Sequence, residues 1–100
     1  MAKKLLLFIF LIISLVSAAA GANRKFTLCI DPGHGGKDTG APGSKSVEKN
    51  INLSVALAFG RYVERNCPDV TVVYTRKTDV FIPLYERAEI ANRKKADLSI

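Results

Sequence analysis

The only histidine of the 100-residue sequence, His34, stands in a glycine-rich loop at residues 31–41. Glycines beside it let the backbone approach a ligand closely, and a neutral imidazole is a common zinc ligand. Glu48 follows fourteen residues later and brings a carboxylate, another ligand type that zinc accepts. These two side chains are therefore our candidate metal ligands.

A phosphate-binding loop is the other chemistry that this segment suggests. Gly36 and Lys37 partly match the end of the pattern G-x-x-x-x-G-K-[ST]. However, Asp31 occupies the position of the first glycine, and Asp38 follows the lysine where Ser or Thr is required. The loop therefore suits a metal better than a phosphate.

Two predicted elements must bring the candidate ligands together. Residues 25–30 indicate a strand, and open α/β sheets place their ligands where strands end. Residues 47–66 indicate a helix with Glu48 in its first turn, on the face that we expect to press on the sheet. Spacing alone leaves open whether Glu48 only complements the helix dipole and whether His34 is solvated or structural. The predicted inward face carries Ile51, Asn52, Val55, Ala58, Phe59 and Tyr62.

The second half of the chain continues the alternation of strands and helices. Residues 70–74 form a β-branched run typical of a buried strand, and residues 84–95 indicate a second helix. Residues 97–100 begin another extended segment. This order predicts an α/β fold with parallel strands and helices covering the sheet. The inward positions predicted for the second helix are Leu84, Ala88 and Ala91.

The N-terminus has the three parts of a secretory signal peptide, over residues 1–22. A basic head precedes the mostly apolar residues 5–16, and small residues then offer a cleavage site after Ala20 or Ala22. The apolar run is shorter than the roughly 20 residues that a spanning helix needs. We therefore expect cleavage, no stable membrane span, and a mature exported part at residues 23–100.

Two cysteines follow the signal segment and would meet oxidising conditions outside the cytoplasmic membrane. Cys29 lies near the end of the first predicted strand, and Cys67 ends the helix that returns antiparallel to it. The two sulfur atoms should then be too far apart to bond. We expect both thiols to be unpaired.

Composition limits the classes of function. The chain is 48% hydrophobic and 24% charged, with a formal net charge of +6, which is typical of a globular domain and excludes disorder. The positive charge permits contact with anionic polymers. The basic residues are scattered apart from residues 93–95, so we expect no nucleic-acid partner.

The motifs together resemble a known family, the zinc-dependent N-acetylmuramoyl-L-alanine amidases of the amidase-3 type. Residues 26–41, FTLCIDPGHGGKDTGA, resemble its opening signature, and residues 48–53, EKNINL, resemble its second metal motif. The likeness covers residues 26–100. Its middle section is matched by Thr75, Arg76, Asp79, Arg87, Ala91, Asn92 and residues 96–100.

The resemblance implies that His34 and Glu48 bind Zn²⁺ and that residues 23–100 are the N-terminal part of a catalytic domain. The implied fold is a mostly parallel twisted sheet with helices on its faces, a phosphorylase/hydrolase-like amidase fold, here truncated. Family members carry a third ligand histidine and a catalytic glutamate further along, which we expect beyond Ile100. No catalytic general base is therefore expected within these 100 residues, and the fragment alone should be inactive.

The implied reaction is hydrolysis of the amide between N-acetylmuramic acid and L-alanine in peptidoglycan, in cell-wall turnover and daughter-cell separation. The expected location is the periplasm or cell envelope, and an activator protein is not identifiable. Asn52 could orient the Glu48 carboxylate or lie on the helix surface, and Arg76 and Arg87 could contact peptide carboxylates or form structural ion pairs. A non-catalytic wall-binding module and a metal-free secreted α/β domain remain as alternatives.

Overall fold

A computed structural model of the protein describes Ile9 and residues 25–100. The signal segment predicted at residues 1–22 therefore lies, apart from Ile9, outside the described residues. Strands and helices alternate as the sequence predicts. The elements are β1 (Phe26–Ile30), α1 (Glu48–Asn66), β2 (Val70–Tyr74), α2 (Leu84–Arg93) and β3 (Leu98–Ser99).

The three strands form one parallel sheet in the order β2-β1-β3. In the register between β1 and β2, Phe26 lies opposite Val70 and Ile30 lies opposite Tyr74. The carboxyl ends of β1 and β2 thus meet at one edge of the sheet, where the loop with the candidate ligands begins. The predicted α/β class and parallel pairing are confirmed.

The core is built on the central strand β1, which lies between β2 and β3 in the sheet. Leu28 and Cys29 point to opposite faces of the sheet and are both completely buried, as expected for a strand of a parallel sheet. Burying a leucine side chain contributes about 1.5–3 kcal/mol. Cys29 and Cys67 are both buried and unpaired, which confirms the expectation for the two thiols.

The face of α1 that packs on the sheet differs from the predicted one. Ile51, Val55 and Tyr62 are 52%, 63% and 45% exposed, whereas the buried helix residues are Ala56, Gly60 and Val63. A Cβ atom at Gly60 would overlap the Tyr74 hydroxyl. Ala56 and Gly60 face the sheet because their small side chains let the helix approach it closely. Phe59 alone among the large predicted inward residues packs against the core, while partly exposed.

The predicted inward face of α2 is also wrong in detail. Leu84 is 85% exposed, and the buried residue of this helix is Arg87. The helix ends at Arg93 rather than residue 95, because Lys95 adopts a left-handed conformation, φ 53°, typical of a helix C-terminus. The face predicted to point inward borders an open depression of about 380 Å³. Its lining residues are Asp31, Leu84, Arg87, Ala88, Ala91, Asn92 and Ser99.

The structure also bears on membrane association. Within the part of the chain that the structure describes, every helix is too short or too polar to cross a membrane.

Candidate metal centre

The two candidate ligands meet at the carboxyl end of β1. His34 Nε2 lies 2.6 Å from Glu48 Oε1, and both side chains keep a partial exposure, 35% and 42%. The loop after β1 supplies the imidazole, and the first turn of α1 supplies the carboxylate. The contact anticipated from the helix position therefore exists, and its use as a metal site stays a prediction.

The backbone around His34 is held in an unusual shape. His34 itself has φ 63°, in the left-handed region, which is uncommon for a residue with a side chain. A tight hairpin follows: the Gly35 and Asp38 backbones exchange hydrogen bonds of 2.7 and 3.0 Å. Left-handed residues of this kind cost of order 1–3 kcal/mol and persist where the surroundings hold them. The loop is therefore shaped to direct the imidazole.

The segment after the hairpin joins the loop to the start of α1. Backbone carbonyls of Thr39 and Ala41 accept hydrogen bonds from the Lys49 and Glu48 amides, each at 3.0 Å. These bonds satisfy amides that a helix N-terminus leaves unpaired. They also bring Glu48 beneath the histidine loop.

Gly40 lies directly against the two candidate ligands. Its φ is 67°, and a Cβ atom there would lie 2.5 Å from Glu48 Oε1 and 2.7 Å from His34 Cδ2. Only glycine fits this position without displacing one of the ligands. The choice of residue thus follows from the packing of the pair.

Asp38 contacts the other side of the imidazole and was not among the predicted site residues. Its Oδ2 lies 2.9 Å from His34 Nδ1. This hydrogen bond is the main cause that raises the pKa of His34 above its usual value, with Glu48 adding to the effect. The same bond lowers the pKa of Asp38. A carboxylate four residues after a loop histidine was the signal available in the sequence.

A second carboxylate, Asp79, holds the tip of the hairpin. Its two oxygens accept hydrogen bonds from the Gly36 amide, at 2.7 Å, and from Lys49 Nζ, at 2.9 Å. Lys49 Nζ also donates to the Gly36 carbonyl at 3.1 Å. The bond from Lys49 is the main cause that lowers the pKa of Asp79. One ion pair therefore fastens the loop to both α1 and the segment after β2.

Arg76 and Arg87 donate hydrogen bonds to the backbone of the histidine loop. Both residues are buried, at 4% and 7% exposure. Arg87 forms the structural ion pair considered for it, with Asp31, whereas the contacts of Arg76 are with backbone carbonyls. Arg76 donates to the carbonyls of Pro32, Gly33, Lys49 and Thr78. Arg87 donates to the carbonyls of Pro32, His34 and Ile82 and forms an ion pair with Asp31.

Asn52 takes neither of the two roles considered for it. Its side-chain amide donates to the Gly33 carbonyl at 3.2 Å, and the residue is half-buried. It therefore ties α1 to the loop one residue before His34. This hydrogen bond helps to set the distance between α1, which carries Glu48, and the loop that carries His34.

The donor set has the chemistry that zinc requires. An imidazole nitrogen and a carboxylate oxygen lie side by side and reach solvent, as two of the three protein ligands of a catalytic zinc site would. Among residues 25–100, His, Cys, Asp and Glu side chains nowhere form a metal-binding group of three or more. The described residues thus fit zinc as a pair of ligands.

Comparison with known proteins gives a consistent result. The Amidase_3 family model, described as N-acetylmuramoyl-L-alanine amidase, matches residues 28–100. The chain is 39% identical over 82 residues to N-acetylmuramoyl-L-alanine amidase AmiC of Escherichia coli O6:H1, covering 81% of this chain and 19% of that protein. It is 44% identical over 81 residues to AmiA of Escherichia coli K12, covering 80% of this chain and 27% of that protein.

A solved structure of similar fold is the N-acetylmuramoyl-L-alanine amidase from Clostridium difficile 630. The TM-score is 0.71 at 37% identity, and the match covers 76% of this chain and 41% of that one. The matches cover 19%, 27% and 41% of these three proteins, so the chain spans less than half the length of each.

Proposed function

The chain belongs to the Amidase_3 family of N-acetylmuramoyl-L-alanine amidases, and from this premise we propose that the full-length protein hydrolyses the amide between N-acetylmuramic acid and L-alanine in peptidoglycan. The observation that carries the proposal is the contact of 2.6 Å between His34 and Glu48. Both residues lie inside the matched range and at the edge of the sheet where α/β proteins bind ligands.

Zn²⁺ is the proposed cofactor, with His34 Nε2 and Glu48 Oε1 as ligands. When bound, zinc supplies the Lewis acidity that polarises an amide carbonyl and activates water. The two ligands hold the metal and move no proton themselves. The completing histidine ligand and the catalytic glutamate are proposed to lie in the full-length protein outside residues 1–100, and residues 23–100 to be the N-terminal part of its catalytic domain.

The remaining described residues keep the ligand pair in position. The buried Arg76 and Arg87 bind the carbonyls of the two residues before His34 and of His34 itself. The ion pair of Lys49 with Asp79 holds the hairpin tip. Rigid support of this kind matters, because a displacement of about 1 Å in a catalytic group can cost about 100-fold in rate.

The place of action is proposed to be the periplasm or cell envelope. Residues 1–22 have the pattern of a secretory signal, and peptidoglycan lies outside the cytoplasmic membrane. The proposed roles are cell-wall turnover and separation of daughter cells. Intact-mass analysis of exported material should give a mature chain that starts at Gly21 or Asn23, and uncleaved protein in the membrane fraction would contradict this.

The decisive experiment measures zinc content and release of stem peptides from purified peptidoglycan. We expect the full-length protein to be active only with zinc, and His34→Ala and Glu48→Gln each to abolish turnover. Glu48→Gln is the sharper variant, since it keeps the side-chain size and removes the anionic ligand. Glu64→Gln is the matched control, because Glu64 is exposed on the same helix, about 24 Å along its axis from Glu48.

Two outcomes would overturn the proposal. If Glu48→Gln keeps both zinc and activity, Glu48 is only a helix-dipole residue. If the wild-type protein binds peptidoglycan without cleaving it, the domain is a wall-binding module. The 100-residue chain alone is expected to release no stem peptide.

A further inference from the structure

We propose that Asp38 is a positioning residue that fixes the His34 imidazole so that Nε2 is the nitrogen presented to the metal. This inference rests on the proposed zinc site and adds a residue to it. Its starting point is that the two ring nitrogens of His34 face two different carboxylates.

The geometry gives each ring nitrogen one role. Nδ1 lies 2.9 Å from Asp38 Oδ2, and an ionised carboxylate only accepts hydrogen bonds. Nδ1 must therefore carry a proton and donate it to Asp38. By the same rule Nε2 donates to Glu48 Oε1 in the metal-free pair. Since a histidine ligand must give up the proton on its ligating nitrogen, a zinc ion held between Nε2 and Glu48 would replace the Nε2 proton, which is released to solvent, and Nδ1 would keep its own. Metal-binding histidines in general donate their second nitrogen to a carboxylate or carbonyl, which orients the ring.

Asp38 is held through both its backbone and its side chain. Its backbone amide and carbonyl pair with Gly35 across the hairpin, and its Oδ1 accepts a hydrogen bond from the Gly40 amide at 3.3 Å. Oδ2 is left to face the imidazole. The two carboxylate oxygens thus have separate partners, so one substitution can distinguish a role in the turn from a role toward His34.

Asp38→Asn makes this distinction. The asparagine keeps an oxygen for the Gly40 amide but places an NH₂ group opposite His34 Nδ1. An NH₂ group only donates hydrogen bonds, so Nδ1 must accept, and the one proton of the neutral ring stays on Nε2, opposite Glu48. A protonated Nε2 has no lone pair for a metal. A role in the turn alone therefore predicts no effect of this substitution, whereas a positioning role predicts a large one.

The first readout is zinc affinity of the full-length protein, measured by competition with a chromophoric chelator. We expect Asp38→Asn to raise the zinc dissociation constant about 10- to 100-fold, the usual effect of losing such a supporting group. Asp69→Asn is the matched control, because it changes the charge equally at an exposed residue before β2, at the opposite end of the strands. The zinc dissociation constant of Asp69→Asn should stay within about twofold of the wild-type value, since substitutions at exposed positions have small effects.

The second readout is made on the wild-type protein, so it does not depend on whether Asp38→Asn folds. In the zinc-loaded wild-type protein, ¹⁵N–¹H correlation spectra of the imidazole should show a proton on His34 Nδ1. The signal is assigned by its absence in His34→Gln. A proton on Nε2 instead would overturn the inference, whatever the stability of Asp38→Asn.

The outcomes separate this inference from the proposed function. If wild type and Asp38→Asn bind zinc equally well, Asp38 is only a turn residue and the inference is wrong, while the zinc site stands. If the wild-type protein binds no zinc, the proposed site fails and the inference fails with it.

Discussion

Arg87 is the side chain whose substitution best tests how the histidine loop is held. The guanidinium group is 7% exposed and donates to four acceptors through three nitrogens. Nη1 reaches Asp31 Oδ1 at 2.6 Å and the Pro32 carbonyl at 2.7 Å, Nη2 reaches the His34 carbonyl at 2.8 Å, and Nε reaches the Ile82 carbonyl at 2.7 Å. One residue of α2 thus connects to the backbone of the candidate ligand itself.

Arg87→Lys keeps the charge and removes the planar fork. A lysine ammonium is a single point, so it cannot reach acceptors that lie on different sides of a guanidinium. We expect at least two of the four bonds to be lost. A hydrogen bond to a charged group contributes about 1.5–3 kcal/mol, and the lower figure applies where a partner such as Asp31 is 31% exposed. The free energy of unfolding should therefore fall by about 3 kcal/mol.

The assay is urea unfolding of the full-length protein, followed by circular dichroism. For a domain of 150–250 residues, a change of 1 kcal/mol shifts the melting temperature by about 2–4 °C, so a thermal melt should show a decrease of about 6–12 °C. Arg93→Lys is the control, since Arg93 is exposed in the last turn of the same helix and should change stability by less than about 0.5 kcal/mol. A loss below about 1 kcal/mol for Arg87→Lys would refute the reasoning that the fork holds the loop.

Three further substitutions test the packing. Gly40→Ala should weaken zinc binding at least about tenfold in chelator competition, because its Cβ would lie 2.5 Å from Glu48 Oε1; unchanged affinity would contradict the site geometry. Gly60→Ala should lower the free energy of unfolding by about 1–3 kcal/mol through overlap with the Tyr74 hydroxyl, and Tyr74→Phe in the same chain should restore part of it; no restoration in urea unfolding would place the conflict elsewhere. Phe59 packs on the core while partly exposed, so Phe59→Ala should cost about 2–3 kcal/mol, less than the usual 3–5 for a buried ring, and a cost under about 1 would place the ring on the surface.

Local sequence patterns were enough to predict the elements and their order. The β-branched run at Val70–Tyr74 and the helical spacing after Val47 gave boundaries within a residue or two of the observed ones. The alternation of strand and helix then required parallel pairing, because a crossover helix returns the chain to the same end of the sheet. These inferences depend on residues that are near one another in the chain. Spacing left open whether His34 and Glu48 meet, and the folded structure shows that they do.

The helix faces could not be read in this way. Helix α1 carries one stripe of large apolar residues, including Ile51 and Val55, and a neighbouring stripe that includes Ala56 and Gly60. Both have helical spacing, so periodicity alone does not choose between them. The choice depends on how closely the helix can approach the sheet, and Tyr74 leaves room only for a glycine. Packing density therefore selected the smaller side chains.

The polar contacts of the site were decided by tertiary structure alone. Arg87 and Asp31 are 56 residues apart in the chain, and Arg76 binds a carbonyl 44 residues away. An arginine in a sequence can serve a ligand, an ion pair or a backbone carbonyl equally well. Likewise, the residue type of Asp38 does not reveal whether its carboxylate faces solvent or the His34 ring. Only the folded backbone, which buries the arginines and turns Asp38 toward Nδ1, determines which acceptors lie within hydrogen-bond distance, because such bonds depend on separations of a few tenths of an ångström.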